Sequence, residues 1–243
     1  MKDVWYIRGF CAESWEPAEI DAAYRVRFNW GEGRRLPDES KAVHLVCERA
    51  LRQTGIENPR NLGAGIGIVL TSGFGGLASY EKFRDGLGTA MDLQPLAFSF
   101  SLPGIPASVL SLYYGITGPV TSLASPTNRC GADAINVAIG LLRSGLCEMV
   151  IAGSWYYPSV TARQCGGASQ ASAAIAVIAP NSGISDKLVL RVDTHDIENG
   201  HDMPEQVRGD PWYDCLASPP RPDAPRRIHF GRTVLVISAL EGF

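Results

Sequence analysis

The sequence predicts an α/β protein with a buried sheet. Short apolar runs bounded by glycine recur along the chain, and amphipathic helical stretches alternate with them. Composition agrees. Of 243 residues, 45% are hydrophobic and only 19% charged, which suits a sheet covered on both faces and a large partner interface.

The N-terminal segment opens with an apolar run, residues 4–10, read as a strand. Residues 15–35 mix aromatic and charged side chains and read as a loop with a short helix. Residues 40–54 read as a helix, because Val43, Val46, Cys47, Ala50 and Leu51 recur at helical spacing before Gly55. The run 65–72 has the length and composition of a buried strand. Gly73, Gly75 and Gly76 then make a turn into a helix over 77–87.

An extended approach leads to a helix over 103–114, closed by Gly115 and Gly118-Pro119. Residues 120–124 read as a strand and 128–144 as a long helix. Its apolar face is Ala134, Ile135, Ala138, Ile139 and Leu142, with Gly145 as the stop. Strands follow at 148–152 and 171–178. Beyond residue 180 the character changes, so residues 1–180 are expected to form one domain and 181–243 a divergent tail. The tail holds strand-like runs at 188–192 and 233–240. Between them, prolines from Pro204 to Pro225 predict extended or irregular chain over 201–227.

Several function classes fall away. The formal net charge of −3 gives no broad attraction to nucleic acid or membrane. No apolar run approaches the roughly 18 residues of a membrane-spanning helix. The N-terminus has no basic stretch followed by a long apolar one, so no secretory signal is expected, and the chain reads as cytoplasmic. The six cysteines, Cys11, Cys47, Cys130, Cys147, Cys165 and Cys215, contain no C-x-x-C pair, so reduced thiols are expected rather than zinc ligands. The G-x-G-G turn lacks the Gly-Lys-Ser/Thr of a phosphate loop and the spacing of a dinucleotide fingerprint. No cofactor or metal is expected. His195 and His201 flank Asp196, Glu198, Asn199 and Asp202, but no ligand spacing is diagnostic there, and a solvated polar loop is the plainer reading.

An ordered set of motifs carries a family resemblance over residues 63–180. GIGIVLTSGFGGL is a strand and glycine turn. Gln94-Pro95 leads toward the helix before Gly115-x-x-Gly118-Pro119. A helix ending Leu-Arg-Ser-Gly at 142–145 runs into a strand and Ala152-Gly153-Ser154, and Ser172-Ala-Ala-Ile-Ala-Val follows. The set resembles the N-terminal half of the β-ketoacyl synthase (condensing enzyme) family. The resemblance implies a thiolase-like fold: a mixed five-stranded sheet with helices on both faces, here with a shortened or missing C-terminal half.

The family's nucleophile is a cysteine at a strand-to-helix elbow, where a helix N-terminus stabilises its thiolate. Counting from Gly118-Pro119 places that position at Thr127, and counting back from Gly145 places it at Asn128. One residue is therefore expected to be inserted in the loop. Both residues suit a helix-capping role. Cys130 stays open as a shifted nucleophile: on an ideal helix it lies about 60° from Thr127 but about 160° from Asn128. The family's two catalytic histidines, or a His and an Asn, come from its C-terminal half. Of the histidines here, His44 matches no family motif, and His229, before Phe230-Gly231, resembles a remnant of the family's last turn.

The resemblance therefore implies a chain-length-factor-like subunit of a type II polyketide synthase, of the polyene or aryl-polyene kind. It would lack a catalytic residue and pair with an active ketosynthase. The family dimerises beside the elbow, so Phe98, Phe100, Leu102, Ile105, Val120 and Ser122 are expected to meet the partner and bound its acyl pocket, or else to belong to the chain's own core. The tail arginines Arg208, Arg221, Arg226, Arg227 and Arg232 could attract an acidic acyl carrier protein. Two alternatives remain: a truncated condensing or decarboxylating acyl enzyme using Cys130, and a carrier-protein-binding module.

Overall fold

The computed structural model describes residues 4–56, 62–87, 95–180, 188–194, 211–218, 224–230 and 233–239. Its strands are β1 (Val4–Trp15), β2 (Ile66–Ser72), β3 (Val120–Ala124), β4 (Met149–Tyr156), β5 (Ala171–Ala179), β6 (Leu188–Thr194), β7 (Arg226–Phe230) and β8 (Thr233–Ala239). They form one sheet in the order β3-β2-β4-β5-β1-β6-β8-β7. β2 runs parallel to both β3 and β4, and every other pair is antiparallel. The mixed five-stranded sheet is thus β3-β2-β4-β5-β1, and the tail strands continue it beyond β1.

Strand alternation sorts the core onto two faces. Val69 of β2 with Ala174, Ala176 and Ile178 of β5 points to one cluster, while Ile68 and Leu70 with Ala173, Ile175 and Val177 points to the other. On the first face lie α6 (Cys130–Arg143) and α8 (Pro211–Ala217). On the second lie α2 (Asp38–Arg52) and α5 (Ile105–Tyr114). β2 is buried along its whole length, as a parallel strand covered on both sides must be.

The structure differs from the sequence reading in four places. Residues 15–35 hold the end of β1 and a full helix, α1 (Pro17–Arg27), started by a proline in its first turn and anchored by buried Ile20 and Tyr24. The approach to α5 is not wholly extended: α4 (Pro95–Phe100) precedes it, and α5 itself begins at Ile105. The proline-rich stretch 201–227 contains α8, which Pro211 opens from the one helical position that tolerates it. Both β1 and β4 run further than their apolar cores suggest.

Helix α2 is buried nearly all round, although its sequence reads as amphipathic. Its buried charged side chains have partners. Lys41 Nζ donates to Asp21 at 2.7 Å and Asp38 at 3.0 Å. Glu39 accepts from Ser79 Oγ at 2.7 Å, and Glu48 accepts from Arg27 Nε at 3.0 Å and from Arg52. His44 is fully enclosed. Its Nδ1 lies 2.9 Å from Tyr24 Oη, and its ring lies 4.0 Å from Phe28 and 4.3 Å from Tyr113, centroid to centroid. It is a core residue of an aromatic cluster. His195 and His201 lie outside the described residues, and His229 lies on β7.

Candidate functional site

The elbow follows β3. Ser125 and Pro126 lead into a single 3-10 turn, Thr127–Arg129, and α6 starts at Cys130. Both counted positions, Thr127 and Asn128, lie in this turn. The 3-10 geometry replaces the ideal α-helical wheel: at three residues per turn, Thr127 and Cys130 share one side and Asn128 is turned away. Thr127 and Cys130 accordingly line the same cleft, and Asn128 does not. Neither Thr127 nor Asn128 caps a helix. The α6 N-cap is Arg129, without a side-chain capping bond; its guanidinium reaches Asp133 at 3.1 Å instead.

Cys130 is only 3% exposed. Its thiol lies 3.3 Å from the Ser125 carbonyl and 3.5 Å from that of Pro126, so it donates back into the elbow. Thr71 pins the helix start from below, donating to the Cys130 carbonyl at 2.6 Å and approaching that of Gly153 at 3.2 Å. The glycine turn after β2 lets these parts meet. A Cβ at Gly73 would sit 2.7 Å from Thr127 Oγ1, and one at Gly76 2.7 Å from the Ser101 carbonyl and 2.8 Å from that of Phe100. The turn is a close-packing device between the elbow and the end of α4.

The cleft holds about 520 Å³. Phe74, Thr127 and Cys130 form one side. Ser14, Ser154, Tyr156 and Ser172 line the sheet end, and Tyr213 and Asp214 of α8 contribute from the tail. The remaining rim, Cys165–Ala168, follows α7 (Val160–Gln164). Buried Glu81, on α3 (Leu77–Gly86), holds α7 in place. Its carboxylate accepts from the backbone N–H groups of Val160 and Thr161, both at 2.8 Å, while Ser159 Oγ caps Ala162 at 3.0 Å. Burial alone would raise the Glu81 pKa; the hydrogen bonds from Thr161 and Val160 outweigh it and hold the carboxyl below its ordinary value. Tyr156 Oη donates to the Ala168 carbonyl at 2.8 Å and closes the rim, and burial raises its phenol pKa. Neither Glu81 nor Tyr213 carries a sequence signal, since both act through chain pairings far apart in sequence.

The six expected interface residues divide. Val120 is 42% exposed on β3, an edge strand with one unpaired side, and Leu102 is 55% exposed. Ser122 faces the Gly104 corner just before Ile105, and its buried Oγ has no hydrogen-bond partner among the described residues. Phe98 is 53% exposed and leans on Phe83 of α3, with ring centroids 5.1 Å apart. Phe100 instead lines a second cleft of about 500 Å³ with Lys82, Glu39, Ser79 and Tyr157. There burial raises the Glu39 pKa against the opposing hydrogen bond from Ser79.

The family description "Beta-ketoacyl synthase, N-terminal domain" matches residues 32–176, which include β2, the glycine turn, the elbow and α6. The chain belongs to the β-ketoacyl synthase family. No curated protein matches the sequence. Among solved structures, this family member is similar to a chain of the complex of the ketosynthase ApeO with its chain length factor ApeC from Xenorhabdus doucetiae. The TM-score is 0.63 and the identity 12%, and the match covers 97% of this chain and 99% of that one. It is also similar to the ishigamide ketosynthase/chain length factor, with TM-score 0.59, 16% identity, 81% of this chain and 68% of that one. A third is AntDE:AntF, a type II PKS acyl-carrier protein in complex with its ketosynthase bound to the hexaketide. Its TM-score is 0.59 at 16% identity; the match covers 74% of this chain and spans 63% of the ketosynthase-complex chain. At these identities the likeness is one of fold.

Proposed function

We propose that this chain is a chain-length-factor-like subunit that pairs with an active ketosynthase and shapes its acyl pocket in polyketide, polyene-type biosynthesis. One observation carries the reading: the elbow holds Thr127 and Asn128 where the family has its cysteine, and the nearest thiol, on Cys130, is turned into the carbonyls of Ser125 and Pro126. Thiolate attack needs an open position beside oxyanion donors, and carbonyl oxygens are acceptors. The exposed edge of β3, with Leu102 and Phe98 nearby in sequence on the preceding segments, supplies apolar surface for a partner. The subunit completes the heterodimer in the cytoplasm and meets the acyl carrier protein through the complex. Size exclusion with light scattering tests this, using the chain alone and then co-expressed with the ketosynthase encoded beside it. A stable one-to-one complex is expected; a chain that ignores the ketosynthase overturns the reading.

A second reading, a condensing or decarboxylating acyl enzyme using Cys130, has one observation in its favour: Cys130 does line the cleft. Cys130→Ala decides it. Full pathway output from the variant removes the enzyme reading, while loss of output with the complex intact supports it.

A further inference from the structure

The second cleft, of about 500 Å³, shares no lining residue with the elbow cleft, and the proposed subunit role leaves its chemistry unused. Three helices build it. α2 supplies two acids and a lysine from its first turn, and α3 supplies Ser79 and Lys82 from successive turns of one face. α4 supplies an apolar wall of Leu96, Ala97 and Phe100. Leu96 is 57% exposed there, so the wall is open to an apolar occupant.

The charged groups of the lining divide into engaged and open ones. Lys41 is held by Asp21 and Asp38, and Asp38 also takes a hydrogen bond from Tyr157. Glu39 accepts from Ser79 Oγ, and burial raises its pKa, which weakens its repulsion of an incoming anion. Arg35 and Lys82 are different: both are exposed, and neither forms an ion pair among the described residues. A cationic ligand would meet these two like charges. An uncharged apolar one would take water from them and return nothing, and a polyanion would reach the Asp38 and Glu39 carboxylates. A single negative charge on an apolar body matches the lining. The volume lies in the range of small-molecule sites. At ~30 Å³ per water-sized group, roughly 16 such groups fit, enough for a bicyclic aromatic acid.

We infer that the cleft between α2, α3 and α4 binds a small organic acid, with its one carboxylate at Lys82 and Arg35 and its apolar body against Leu96, Ala97 and Phe100. Binding is non-covalent. The inference goes beyond pairing with a ketosynthase and holds for the chain with or without that partner.

The probe is 2-naphthoate, titrated into the full chain at neutral pH by calorimetry. 2-Naphthamide is its uncharged counterpart of the same shape, and acetate is a carboxylate without the apolar body. The wild-type chain should bind one naphthoate saturably, and bind the amide and acetate each at least about tenfold more weakly. The double variant Arg35→Gln, Lys82→Gln should weaken naphthoate binding about tenfold or more and remove its advantage over the amide. Ala78→Phe, which fills the cleft from α3, should weaken both ring compounds about tenfold or more. No saturable binding, or more than one naphthoate per chain, overturns the inference. So does an amide bound as tightly as the acid, or unchanged binding in the double variant. Unchanged binding in Ala78→Phe overturns it too when that variant melts like the wild type. If Ala78→Phe melts early, the double variant decides, because both of its replaced side chains are exposed. A failed complex with the ketosynthase would leave this result untouched, so the two readings fail separately.

Discussion

Truncating Glu81 should loosen the molecule at one seam. Its carboxylate makes two charge-assisted hydrogen bonds to the N-terminus of α7, each 2.8 Å, from a residue only 5% exposed. Bonds of this type are worth about 1.5–3 kcal/mol each, so the ceiling for Glu81→Ala is about 3–6 kcal/mol. Val160 is 51% exposed, so water can reach its freed N–H and recover part of the loss. The expected cost is then about 2–4 kcal/mol, or roughly 5–15 °C in melting temperature for a domain of this size. Glu81→Gln keeps the shape and one acceptor and should cost about half as much. The pH dependence separates charge from packing. The folded pKa of Glu81 lies below its ordinary value of 4.5, so its stabilisation is complete above that value and is lost as pH falls through the lower folded pKa. The gap between wild type and Glu81→Gln should therefore be full at neutral pH and shrink in acid. Urea unfolding followed by circular dichroism across that range measures it. A Glu81→Ala variant within about 0.5 kcal/mol of wild type, or a gap that does not change with pH, would refute the argument.

Three further outcomes follow from named contacts. Gly76→Ala places a methyl within 2.8 Å of two carbonyl oxygens at the end of α4, so α4 must shift; the variant should lose at least about 2 kcal/mol in urea and exchange amide hydrogens faster over residues 95–102. Tyr24→Phe removes the hydroxyl that meets His44 Nδ1 in the aromatic cluster and should cost about 1–2 kcal/mol in the same unfolding experiment. Leu102→Glu changes an exposed side chain, so the melting temperature of the chain alone should hold within about 2 °C, while the one-to-one complex with the ketosynthase should weaken at least tenfold by light scattering over a dilution series.

Much of the fold was legible because local pattern and tertiary role coincide. The apolar run at 65–72 has the length and flanking glycines of a buried strand and forms β2, and Ala134, Ile135, Ala138, Ile139 and Leu142 all lie on the buried face of α6. The site was legible in its position and less so in its geometry. Thr127 and Cys130 were both candidates, but the 3-10 turn that puts them on one side and turns Asn128 away depends on Pro126, Gly73 and Thr71 acting together. The all-round burial of α2 was hidden because the local pattern shows only its apolar positions; the partners of its charged residues, Asp21, Ser79 and Arg27, arrive from elsewhere in the chain.

By itself, the sequence determined the α/β class, the order of the strands through residue 180 with helices α2, α3, α5 and α6 among them, the family, and the absence of a cysteine at the two counted elbow positions. These follow from periodicity and ordered motifs, which are local. Only the tertiary structure decided that three tail strands continue the sheet through β1, that Tyr213 reaches the cleft, and that Glu81 ties α3 to α7. Such pairings join residues tens of positions apart or more. Their energies come from registry and burial, which no local window of the chain contains.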